Sequence, residues 1–153
     1  MRLIKGMKKL PIRKNLPHGI PSWASREDVW FITICCRNRG VNALAKPILN
    51  TAVRETLLVR EKLNQLSLIR YVIMPDHLHL VLRFNHTIGI CRIISGMKGY
   101  LAKQCGIGWQ NGFFDHRIRS YKLLQETLDY VRMNPVRAKL VEKPEDWPHQ
   151  WPR

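Results

Sequence analysis

Residues 69–84 read IRYVIMPDHLHLVLRF, and the fold turns on this stretch. Two runs rich in β-branched and apolar residues flank Pro75-Asp76, a pair suited to a tight turn. Ile69–Met74 and His77–Phe84 are therefore expected to form a β-hairpin. Within the second run, Leu78, Leu80, Leu82 and Phe84 alternate with His77, His79, Val81 and Arg83. Because successive side chains of a strand point to opposite faces, the leucines form one face for helices to cover, and the histidines share the other.

Working outward, Trp30–Cys35 is β-branched and aromatic and reads as the first strand. Pro47 suits a helix start, and Leu49, Val53, Thr56, Leu57 and Leu63 continue at helical spacing to about Asn64. Beyond the hairpin, Ile90, Ile93, Ile94, Met97 and Leu101 line one face of a second helix over Ile88–Cys105, although Gly96 and Gly99 weaken it. Phe113–Arg119 reads as a fourth strand. Ser120 is placed to cap a third helix running to about Met133, and Asn134-Pro135 should stop or bend it. The order predicts an α+β fold: a ferredoxin-like βαββαβ antiparallel sheet with an additional C-terminal helix that carries Tyr130. One domain is expected over 27–141, with a basic arm at 1–26 and a turn-rich tail at 142–153.

Composition narrows the function. The chain has 153 residues, with 26 Lys+Arg against 11 Asp+Glu and a net charge of +15. At 45% hydrophobic residues it can build a core, so a disordered basic tail is excluded as the whole molecule. No apolar run approaches the roughly 20 residues of a membrane span. Met1–Lys9 lacks the apolar segment of a signal peptide, so an intracellular protein without a membrane partner is expected. The charge points to a polyanion, because each phosphate neutralised by Lys or Arg releases a condensed counterion. Cys35, Cys36, Cys91 and Cys105 lack the paired spacing of a zinc site and read as reduced, mostly buried thiols.

The histidine face carries chemistry. Imidazoles at i and i+2 lie about 6–7 Å apart at the backbone and can bind one cation together, or simply make a polar face. Asp76 is either a partner that orients a ring or a turn residue. On the third helix Leu124, Leu128 and Val131 make the core stripe, and Tyr130 and Asn134 share the stripe beside it. If that stripe faces the histidines, Tyr130 can reach a metal-bound phosphate while Asn134 supplies an oxygen to a hard divalent ion. Attack of the phenol on phosphorus would leave a phosphotyrosine and a free 3′-hydroxyl, conserving the bond energy for rejoining. Spacing alone leaves Tyr71, Tyr100 and Tyr121 as competitors.

Met74-Pro75-Asp76-His77-Leu78-His79-Leu80 resembles the histidine–hydrophobic–histidine motif of the HUH single-strand endonucleases. Phe113–Ser120 and Tyr130–Val141 resemble segments of the REP-associated tyrosine transposases, and Arg13–His18 and Pro144–Pro148 resemble that family's flanks. The resemblance covers roughly Arg13 to Trp147. It implies a metal-dependent endonuclease and strand transferase that cuts and rejoins single-stranded DNA at palindromic hairpins through a covalent 5′-phosphotyrosine. By position, His77 and His79 become metal ligands, Asn134 the third ligand, Tyr130 the nucleophile, and the ion Mg²⁺ or Mn²⁺. Asp76 and His116 become supporting residues. Arg13, Lys14, Arg83, Lys98, Arg119 and Trp147 become candidate contacts to hairpin DNA, in a bacterial cytoplasm. A hairpin DNA- or RNA-binding protein of the same fold that does not cut is the alternative, and monomer or homodimer stays open.

Overall fold

The structure is a computed structural model and describes residues 27–152; the basic arm, with Arg13 and Lys14, lies outside the described residues. The elements run β1 (Val29–Cys35), α1 (Pro47–Lys62), β2 (Leu66–Ile73), β3 (His77–Phe84), α2 (Ile90–Cys105), β4 (Phe114–Ile118) and α3 (Tyr121–Arg137). A short 3-10 turn (Pro144–Asp146) and β5 (Gln150–Trp151) follow. The sheet is antiparallel throughout, in the order β4-β1-β3-β2-β5. Strands β1 to β4 with α1 and α2 thus make the expected ferredoxin-like unit, and α3 is the added helix. Among the described residues no helix is long and apolar enough to cross a membrane.

Two apolar layers sandwich the sheet. Ile32 and Ile34 of β1 and Leu78, Leu80 and Leu82 of β3 pack with Val53 and Leu57 of α1 and Ile93, Ile94, Met97 and Leu101 of α2. On the opposite face Val72, Val81, Ile118, Val131 and Trp147 form a smaller core, with Phe31, Leu124, Leu128 and Tyr130 against it. Central strand β3 is consequently buried on both sides. The histidine face is a covered interior under α3, with His77 at 7% and His79 at 2% exposure.

Three details depart from the periodicity. Strand β2 begins at Leu66 rather than Ile69, because a bulge sits between Leu68 and Arg70 in its pairing with β3. The extra residue flips the alternation: Leu66 and Leu68 face the helices before it, and Tyr71 and Ile73 do so after it. Helix α3 runs through Asn134-Pro135 to Arg137 instead of stopping there. Pro135 forgoes one N–H bond in the last two turns. Val131, Asn134 and Pro135 are the helix's buried residues, and packing against the sheet holds the turn together. The helix ends just beyond, where Ala138 and Leu140 N–H groups donate to Asn134 and Pro135 carbonyls and Lys139 turns left-handed at φ 58°. Finally, the tail is part of the domain: Gln150 and Trp151 pair with Val72 and Tyr71 as an edge strand.

Candidate active site under the third helix

The site is built around the hairpin turn. The Met74 N–H donates to the His77 carbonyl across Pro75-Asp76 (2.8 Å), so β3 starts immediately at His77. A loop after β1 closes over this turn. The Cys36 N–H donates to the Asp76 carbonyl (2.8 Å), and Ala43 and Leu44 donate to the Pro75 carbonyl (2.8 and 2.9 Å). Gly40, at φ 80°, donates its N–H to Asp76 Oδ2 (2.7 Å), and Arg39 approaches Asp76 Oδ1 at 3.4 Å. Asp76 is therefore more than a turn residue: the same Oδ1 sits 2.7 Å from His77 Nδ1. Burial raises its pKa, but the Gly40 N–H, the His77 hydrogen bond and Arg39 outweigh that and hold it below the ordinary carboxylate range.

This fixes the ring of His77. An ionised carboxylate only accepts, so Nδ1 carries the proton and Nε2 keeps its lone pair. Burial pushes the pKa of His77 down, partly countered by Asp76. His79 is held well below its usual value, first by burial and then by His77 and Arg39. Both rings are neutral near pH 7. His79 Nδ1 lies 2.8 Å from Thr33 Oγ1, while its Nε2 is buried with no hydrogen-bond partner among the described residues. Leaving such an atom unpaired costs about 1–3 kcal/mol, so a ligand at that nitrogen would recover it.

Tyr130 completes the cluster. Its ring meets the His79 ring edge-on at 5.6 Å between centroids, and Phe31 at 6.0 Å; the two imidazoles are 4.7 Å apart. The competing tyrosines are elsewhere: Tyr71 lies in the core on the other face of the sheet, and Tyr100 and Tyr121 are exposed on helices. One turn after Tyr130, Asn134 is buried on the face of α3 that packs on the sheet. Among the described residues no three His, Cys, Asp or Glu side chains converge, so a cation here has the two imidazoles to draw on. That sparse set fits Mg²⁺ or Mn²⁺, which fill their remaining positions with water and substrate phosphate.

The other expected residues scatter. His116 lies on β4 opposite Phe31, in the row of the sheet next to His79, Thr33 and Phe114. Arg83 Nε donates to the Glu27 carbonyl (3.1 Å) at the far end of β3. Arg119 is exposed beside the Ser120 cap of α3. Lys98 is occupied: its ammonium donates to the carbonyls of Gln110 (2.7 Å) and Gly112 (2.6 Å), clamping the loop before β4. Trp147 is not placed to grip DNA either. It is buried, and its indole N–H donates to the Ile73 carbonyl at 3.0 Å. Trp147→Ala is expected to lower unfolding free energy by about 3–5 kcal/mol in urea titration. A loss below 1 kcal/mol would deny it a core role. All four cysteines are free thiols; burial pushes Cys36 up to about 11 and raises Cys35 as well, so neither is a thiolate.

Thr33, Gly40, Arg39 and Arg137 were not singled out by sequence. Thr33 had a signal, as the one polar side chain within the apolar run Phe31–Cys35. Arg137 had another: it stands seven positions after Tyr130, two helical turns away on nearly the same stripe, and its guanidinium carbon lies 5.0 Å from the centre of the Tyr130 ring. Nothing local in the sequence joins Arg39 and Gly40 to Asp76.

The model of the family described as "Transposase IS200 like" matches residues 26–115, more than half of the chain. The chain belongs to the IS200-like transposase family. The matched segment holds Thr33, Asp76, His77 and His79 but ends before α3, so Tyr130 and Asn134 stand outside it. Among similar IS200-like relatives, a Haemophilus influenzae protein assigned to the REP-associated tyrosine transposases is 35% identical over 95 residues. That alignment covers 50% of this chain and 53% of the relative, so the match spans about half of the relative's length. The REP-associated tyrosine transposase of Escherichia coli K12 is 25% identical over 122 residues, covering 78% and 73%. A solved REP-associated tyrosine transposase bound to a REP hairpin superposes with a TM-score of 0.73 at 24% identity, over 90% of this chain and 79% of that one. At that identity the superposition speaks for the fold.

Proposed function

We propose that this IS200-like transposase is a metal-dependent single-strand DNA endonuclease and strand transferase acting on hairpin-forming DNA, with Tyr130 as its nucleophile. One observation carries the reading: the Tyr130 ring packs on His79, whose buried Nε2 has no partner among the described residues. His77, His79 and Asn134 would hold Mg²⁺ or Mn²⁺, with Asp76 and Thr33 orienting the two rings. When bound, the ion polarises the scissile phosphate and favours ionisation of the phenol. The Tyr130 oxygen attacks phosphorus, the bond from phosphorus to the 3′ oxygen breaks, and that oxygen takes up a proton. A 5′-phosphotyrosine and a free 3′-hydroxyl remain, and attack by another 3′-hydroxyl reverses the step to join strands. The net charge of +15 suits a polyanionic substrate.

The test is to incubate the full chain with hairpin-bearing single-stranded DNA and Mn²⁺, isolate the covalent adduct, and map it by mass spectrometry. A 5′-phosphate on Tyr130 is expected. An adduct on another residue, or cleavage with no adduct, would refute the assignment.

A further inference from the structure

Phosphoryl transfer to a tyrosine builds negative charge on the non-bridging oxygens of the scissile phosphate, and catalysis lies largely in meeting that charge with fixed donors. The metal would meet part of it from the histidine side. Several arginines elsewhere among the described residues are already committed to carboxylates. Arg39 is tied to Asp76, Arg132 to Glu145, Arg117 to Asp28 and Arg83 to Glu27. Arg137 differs. It sits exposed in the last turn of α3, has no carboxylate partner among the described residues, and rests over the Tyr130 ring at 5.0 Å.

We propose that Arg137 is a phosphate-binding catalytic residue: its guanidinium, parked on the face of the Tyr130 ring, takes the non-bridging oxygens of the scissile phosphate when DNA enters. The inference rests on Tyr130 being the nucleophile. Reaction requires phosphorus within about 3–3.5 Å of the phenol oxygen, which places the phosphate beside the very ring that Arg137 covers. The planar fork can pair two oxygens at once, which an ammonium cannot do. Before DNA arrives, the cation–π contact keeps the fork next to the nucleophile and away from acidic partners. Stacking on the ring and pairing with the phosphate use different parts of the guanidinium, its face and its edge, so ring contact and phosphate contact are compatible.

The decisive experiment compares adduct formation by wild type, Arg137→Gln and Arg137→Lys at saturating DNA. Two hairpin oligonucleotides are used, one natural and one with a neutral methylphosphonate at the mapped cleavage position. On the natural strand Arg137→Gln should be slower by about 10²–10³-fold, with hairpin affinity nearly unchanged and Arg137→Lys in between. On the methylphosphonate the gap between wild type and Arg137→Gln should largely close, because the charge that Arg137 meets is gone. Equal slowing on both strands, or none on either, overturns the proposal while leaving Tyr130 as the nucleophile. A wild-type adduct at a residue other than Tyr130 overturns the underlying reading and this proposal together.

Discussion

Tyr130→Phe is expected to abolish covalent adduct and strand cleavage, by at least about 10⁴-fold, while leaving the hairpin complex and the fold intact. The substitution removes one oxygen and nothing else. The ring keeps its edge contacts with His79 and Phe31 and its place under the Arg137 guanidinium. Tyr130 is half-buried at the rim of the second core, so no large cavity opens. No other tyrosine can substitute, since Tyr71 is buried on the opposite face and Tyr100 and Tyr121 stand on solvent-facing positions. Gel-shift affinity for a labelled hairpin, read beside cleavage, separates the two outcomes. Cleavage that survives in Tyr130→Phe removes Tyr130 from the mechanism. Loss of binding along with cleavage would make it a contact residue instead.

What could be read from the chain follows the range of the interactions involved. The β3 alternation and the apolar stripe of α2 are local periodicities, and they placed the histidines and the first core correctly. Where an element interrupts its own period, the pattern no longer marks its bounds. The bulge beside Ile69 hid the start of β2, and the buried contacts of Pro135 carried α3 past its expected end. β5 is two residues long, too short to show any period. Lys98 and Trp147 show a different limit. A lysine on a helix and a tryptophan in a Pro-rich tail look available to DNA, yet the first satisfies loop carbonyls and the second fills the layer under α3. The environment of Asp76 was the least legible part, since Arg39 and Gly40 are joined to it only by a loop folding back over the turn.

That environment leads to the second large effect, on stability rather than turnover. A ligand that binds only the folded protein raises its unfolding free energy by RT ln(1 + [L]/Kd). Mn²⁺ at one hundred times its Kd is therefore expected to stabilise the full chain by about 2.7 kcal/mol, and EDTA to reverse it. The unfolded chain does not hold such a site, because the backbone of β3 is what keeps the His77 and His79 rings 4.7 Å apart under the buried face of α3. In His79→Ala the increment should vanish. Comparing each variant with and without metal cancels whatever the substitution does to the metal-free fold, which matters for a residue 2% exposed. Asp76→Asn should lose only part of it, as the ring of His77 loses its orienting carboxylate while both imidazoles remain; such partners are worth about 10–100-fold in metal affinity. Urea unfolding at fixed Mn²⁺ reads all three proteins on one scale. If His79→Ala keeps the full increment, the metal binds elsewhere, and the unpaired Nε2 of His79 needs another explanation.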